Sequence, residues 1–240
     1  MDERRIGLIG AMPVEVAPFL ERMRLRREER IGPFRFWLGE GAGVPVAVGC
    51  CGVGKVNAAL GAQAMIQGFC PTAILHAGVG GGLQEGLNIC DAVVAKDCVQ
   101  YDVDTTALGD PLGMISTVER VDLPCDGRIA EALLDAAGES MPRGRKAVLG
   151  RIATGDRFLT SAAEKQRIVR DFGACLCDQE SGAIAQACYV GGVPCGVVRA
   201  VSDASDGAHQ EEFKQYSGQA ASVAADVIWK FLEKFGKRFA

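Results

Sequence analysis

Three acidic residues stand where an alternating strand–helix chain would present reactive groups: Glu15, Glu180 and Asp203. Glu15 follows the apolar run RIGLIG (residues 5–10) and falls in the first turn of a helix opened by Pro13, where the helix dipole favours an ionised carboxylate. In a cleft such a group can take a proton from water; an ordinary first-turn glutamate is the competing reading. Asp178 and Glu180 lie two apart and share one strand face if the strand over 175–179 extends that far. They interrupt the apolar stretch ACLCDQESGAIAQAC, so burying them calls for partners, and sugar hydroxyls would serve. Strand-end and helix-capping acids are the alternative. Asp203 follows GVVRAVS. An apolar site could hold it protonated as a proton donor, whereas an Arg199–Asp203 ion pair would make both residues structural.

Two glycine-rich segments resemble phosphate loops. GCCGVGKV (49–56) nearly fits GxxxxGK[ST], but Val56 replaces the hydroxyl residue that would ligate magnesium. That argues against a nucleoside triphosphatase. GVGGG (78–82) lacks the spacing and acidic partner of a dinucleotide-binding unit. It reads as a tight turn where a small ligand approaches the backbone.

These residues need a scaffold. Apolar runs predict strands over 5–10, 34–38, 44–50, 73–76, 91–101, 147–154, 175–179 and 194–201. Helical spacing predicts helices after Pro13 and over 56–69, 128–137, 161–170 and 182–190, with a long final one marked by Phe213, Tyr216, Ala220, Val223, Val227 and Phe231. On the second of these helices Val56, Ala59, Leu60 and Ala64 share a face. Ser161, with Glu164 three residues on, suits a capping box. Residues 102–125 read as an irregular functional loop. The alternation predicts one α/β domain over 1–240, its sheet covered on both faces. Ligands bind outside the carboxyl ends of such strands. That rule gathers Glu15, residues 78–82, Asp156, Phe158, Asp178, Glu180, Ser202 and Asp203 at one edge.

Composition narrows the classes. The chain has 240 residues, 48% of them hydrophobic and 23% charged, with a net charge of −4, so no basic field draws it to nucleic acid. The basic residues at 22–30 are interrupted by glutamates and read as a solvated helix end and turn. Ten cysteines sit mostly in apolar runs, with no CxxC pair and only His76 and His209 beside them. They read as reduced, structural thiols of a cytoplasmic protein rather than a zinc site. No apolar run approaches the roughly 18 residues of a membrane span.

Seven segments together resemble the 5′-methylthioadenosine/S-adenosylhomocysteine nucleosidases of the nucleoside phosphorylase superfamily: IGLIGAMPVEV, CGVGKVNAALGAQ, HAGVGGGL, YDVDTTALG, TGDRF, DQESGAIAQAC and VVRAVSD. They occur in the family's order across almost the whole chain. The resemblance implies a three-layer α/β/α sandwich with a central mixed sheet, a homodimer, and neither metal nor cofactor. It implies hydrolysis of the N-glycosidic bond of 5′-substituted adenosines. Glu15 matches the base for water, Asp203 the acid that protonates purine N7, and Glu180 the group that binds the ribose hydroxyls. Phe158 matches the aromatic that stacks on the base and Leu159 the main chain beside adenine. Ser202 matches the residue that orients the acid, and Arg199 one near the water and sugar. Phosphorylase relatives typically carry an N-terminal arginine for phosphate where this chain has GAMPVE, which favours water as nucleophile. Val79, Gln179 and Asp178 replace the family's usual serine, methionine and glutamate around the sugar. Asp110 falls in the loop that usually lends apolar groups to the 5′-substituent. A more polar tail, as in 6-amino-6-deoxyfutalosine, is the alternative substrate; a purine nucleoside phosphorylase and a non-catalytic nucleoside sensor are the alternative functions.

Overall fold

The computed structural model describes residues 4–203 and 209–240. The chain runs β1 (Ile6–Gly10), α1 (Pro13–Arg22), β2 (Arg24–Ile31), β3 (Phe34–Gly41), β4 (Val44–Cys50), α2 (Lys55–Phe69), β5 (Ala73–Gly82) and β6 (Ala92–Gln100). It continues with β7 (Asp122–Pro124), α3 (Gly127–Ser140), β8 (Ala147–Thr154), α4 (Ala162–Phe172), β9 (Leu176–Asp178), α5 (Ser181–Gly191), β10 (Cys195–Asp203) and α6 (His209–Phe239).

All the strands join one mixed sheet. β5 is its hub: it pairs in parallel with β1 and β10 and antiparallel with β9. Because β10 also pairs with β6, β6 with β8 and β8 with β9, half the sheet curls into a closed ring, while β1, β4, β3 and β2 extend from it. One face packs Leu8, Val46, Leu75 and Val198 under α1, α3 and α6; the other packs Ile9, Ile74, Val93 and Val197 under α2 and α5. This is the expected three-layer sandwich.

Several local expectations give way. Residues 24–31 form the exposed edge strand β2, not a helix end and turn. Its charges pair across and along the strands, as in Arg26–Glu40 at 3.0 Å and Arg27–Glu29 at 2.6 Å, and charge on an edge opposes pairing with other chains. Residues 78–82 are not a turn: β5 runs straight through them, wholly buried. Glycine is needed there for room. A Cβ on Gly78 would strike the Arg199 guanidinium and the Glu15 carboxylate, and one on Gly80 would strike Leu176 and the Cys177 carbonyl. In α2 the buried stripe is Ala58, Gly61, Ala62, Met65 and Phe69. Small side chains let the helix approach Cys51 closely, leaving Val56 69% and Leu60 54% exposed. The loop after β6 contains a short 3-10 turn (Thr106–Leu108) and the brief strand β7.

Candidate active site

The ends of β1, β5, β9 and β10 meet at a cleft. Glu15, Val79, Phe158, Leu159, Asp178, Gln179, Glu180, Ser202 and Asp203 all line it, joined by Met12 and by Phe213 of α6. Arg199 does not line it. Its side chain is fully buried behind the carboxylates.

Glu15 is locked by the start of its own helix. Oε2 accepts from the Ala11 and Met12 amides at 2.7 and 2.9 Å, half of a capping box that reaches back to the residue before the helix. Oε1 accepts from the Val79 amide at 3.0 Å and from Arg199 Nη1 at 3.3 Å. Position 79 thus serves the site through its backbone, whatever its side chain.

Asp178 and Glu180 do not share a strand face, because β9 stops at Asp178 and Glu180 is the residue that precedes α5. Both still reach Arg199: Nε lies 2.7 Å from Asp178 Oδ2, and Nη2 2.9 Å from Glu180 Oε2. Asp178 is otherwise taken up by Thr154 Oγ1 at 2.5 Å and by a very short bond from the Ser181 hydroxyl. Glu180 is less committed; its other oxygen accepts from the Gly54 amide at 2.9 Å. Burial raises its pKa, against the pull of Arg199. Burial also works against the charge on Arg199, but Asp178, Glu180 and Glu15 outweigh it and hold the guanidinium protonated. The expected alternative of an Arg199–Asp203 pair is replaced by this three-carboxylate cage.

The glycine-rich segment before α2 shows why it is no phosphate loop. Its free amides are filled by the chain's own carboxylates: Gly54 by Glu180, and Lys55 by Asp156 Oδ1 at 2.8 Å. The Lys55 ammonium is paired with Asp102 at 2.5 Å. An anion at this helix start would meet negative charge.

His76, Asp178 and Glu180 place ligand atoms within 4.8 Å of one another, a spacing that would suit a metal. The guanidinium already holds that position. Its Nη2 contacts both His76 Nε2 and Glu180, so a second cation would be repelled. His76 Nδ1 lies 2.9 Å from the Ile9 carbonyl. Donation there makes Nε2 the acceptor for Arg199, and burial with that neighbouring cation pushes the His76 pKa well down.

At the opposite side of the cleft, Ser202 Oγ donates to Asp203 Oδ1 at 2.9 Å. Asp203 Oδ2 faces Lys165 Nζ at 3.7 Å. Phe158 is 45% exposed and packs edge-on against Phe213 at 5.7 Å between centroids, so one ring face stays available to a flat ligand. Sequence reasoning passed over Lys165, His76 and Phe213. Lys165 had a signal: with Ile168 and Phe172 it falls at i, i+3, i+7 on the buried face of α4. In the sequence Phe213 reads only as helix core, and His76 only as one of two histidines, too few for zinc.

The class of protein follows from the chain as a whole: residues 5–233 match the model of the Phosphorylase superfamily. The chain is 33% identical over 231 residues to the 5′-methylthioadenosine/S-adenosylhomocysteine nucleosidase of Geobacillus thermodenitrificans, covering 95% of this chain and 96% of that one. The nucleosidase of Neisseria meningitidis in complex with methylthio-immucillin-A superposes with a TM-score of 0.92 at 30% identity, covering 97% and 100% of the two chains. Futalosine hydrolase of Helicobacter pylori gives 0.91 at 30% identity, covering 97% and 98%. The chain belongs to the family of 5′-methylthioadenosine/S-adenosylhomocysteine nucleosidases.

Proposed function

We propose that this protein hydrolyses the N-glycosidic bond of 5′-methylthioadenosine and S-adenosylhomocysteine, releasing adenine. The observation that carries the reading is the division of one cleft between Glu15 and Glu180, tied to a buried arginine, and Asp203, set apart from them beside Lys165. The base stacks on Phe158 with Leu159 alongside. Asp203, oriented by Ser202, gives its proton to N7, and the N9–C1′ bonding electrons leave with adenine. The sugar then carries oxocarbenium character, which nearby carboxylates stabilise. Glu180 accepts from the ribose hydroxyls. Asp178 supports it through Arg199, and Val79 and Gln179 pack around the sugar. Water attacks C1′ and loses its proton to Glu15.

Phosphorolysis fits the cleft poorly. Among the described lining residues Arg157 is the one cation, and it is paired with Glu164 at 2.6 Å. A polar 5′ tail is the second reading, favoured by Gln179 in the cleft wall and by the likeness to futalosine hydrolase. The protein acts as a homodimer in the cytoplasm, in the salvage of methylthioadenosine. Exposed Val56 and Leu60 on α2 and Val190 on α5 supply an apolar face for the partner. Thiols packed against one another at Cys98, Cys125, Cys188 and Cys195 suit a reducing compartment.

Asp203→Asn tests the acid. Turnover should fall at least about a hundredfold, the scale of a lost general acid, while adenine binding by calorimetry changes far less. Full activity in that variant would remove Asp203 from the mechanism.

A further inference from the structure

Lys165 is charged and 2% exposed, and it belongs to no part of the reaction as described above. The sequence puts it on the face of α4 that also buries Ile168 and Phe172. An ammonium that deep is costly without an opposite charge. Its Nζ lies 3.7 Å from Asp203 Oδ2. That is too long for a hydrogen bond and well within reach of direct charge attraction. The other carboxylate oxygen is held by Ser202, so the two contacts fix both the rotation and the electrostatic surroundings of Asp203.

We propose that Lys165 is the positioning residue for the leaving-group acid: its buried ammonium keeps Asp203 Oδ2 in place and lowers the pH at which the carboxyl gives up its proton. The inference rests on the reading of Asp203 as that acid. Two described groups near this pair do not substitute for it. Cys177 of β9 lies near both, and burial pushes its thiol up to about 12, so it carries no charge at neutral pH. Asp178 is committed to Arg199 and Ser181. On its far side Lys165 borders a surface groove with Glu85 and Arg170; Arg170 pairs with Asp171 at 3.0 Å. Lys165 thus places a positive charge in direct reach of Oδ2. An opposite charge this close lowers a carboxyl pKa by roughly 1–3 units. Asp203 loses its proton at a lower pH than its apolar surroundings alone would set, so the ammonium opposes the expected holding of the proton and sets the alkaline limit of Asp203 as the acid.

The test reads the carboxyl directly. In ligand-free protein labelled with 13C at aspartate carboxyls, the Asp203 signal is assigned by its loss in Asp203→Asn and titrated in wild type, Lys165→Met, Lys165→Gln and Lys165→Arg. The Asp203 midpoint should rise by about 1 pH unit or more in the Met and Gln variants and stay near wild type in the Arg variant. The alkaline limb of kcat/KM for methylthioadenosine should move the same way. An unmoved midpoint in a folded Met or Gln variant overturns the role of Lys165. If wild type fails to hydrolyse methylthioadenosine, the proposed function falls while the carboxyl titration still decides the Lys165–Asp203 coupling. Should the Met variant not fold, the Gln variant, with its polar end and similar stem, decides.

Discussion

One guanidinium, that of Arg199, faces Glu15, Asp178 and Glu180 within 3.3 Å, and its orientation depends on an uncharged neighbour. His76 accepts from Arg199 only while neutral, and burial beside that cation keeps it so. The consequence for stability has a definite sign. Below about pH 6.5 the unfolded chain protonates this histidine. The folded one does not until well below, so the unfolded state binds more protons and stability falls as pH drops through that range. His76→Asn keeps an acceptor but removes the titration. Between pH 6.5 and 5 the melting temperature of wild type should fall more steeply than that of the variant; equal slopes would show that His76 does not titrate as described. At this scale the sequence was only partly legible. Glu15, Glu180 and Asp203 stood out as carboxylates at strand ends. Arg199 stood out too, but its partners did not, because which of four nearby acids a buried arginine meets depends on how β5, β9 and β10 are registered.

Strand β5 carries the site's geometry. It runs extended through residues 78–82 so that Gly78 lets Glu15 and Arg199 meet across it. Gly78→Ala should destabilise the protein by about 1–3 kcal/mol, the range for overpacking a filled interior, and abolish hydrolysis even where folding persists. Denaturant unfolding checks the first part, and an unchanged midpoint would mean that the cage can shift to admit a methyl. The order of most elements was legible because apolar runs of strand length alternate with helical spacing. Residues 78–82 were misread because glycine clusters mark both turns and close approaches, and only the neighbouring strands distinguish them. Residues 24–31 were misread for a related reason: an edge strand buries neither face, so it shows no apolar alternation. On α2 both faces are apolar, and periodicity alone could not say that Ala58, Gly61 and Ala62 face inward while Val56 and Leu60 face out.

At the scale of the molecule, the curled sheet brings four strand ends to one cleft and leaves an apolar stripe outside it. Val56 and Leu60 on α2, with Val190 on α5, are more exposed than side chains of their kind usually are. A second copy of the chain is the occupant proposed for that face. Leu60→Asp, which adds a charge at a position 54% exposed, should convert a sedimenting dimer to a monomer with its helical content retained. A variant that still sediments as a dimer would place the interface elsewhere. The proposed function requires this cleft to use water to release adenine from a 5′-substituted adenosine. Incubating the protein with 5′-methylthioadenosine, with and without phosphate, and identifying the sugar product tests it most directly. Adenine and free methylthioribose, formed at the same rate in both conditions, is the predicted result; a phosphate-dependent sugar 1-phosphate, or tight binding without turnover, would contradict it.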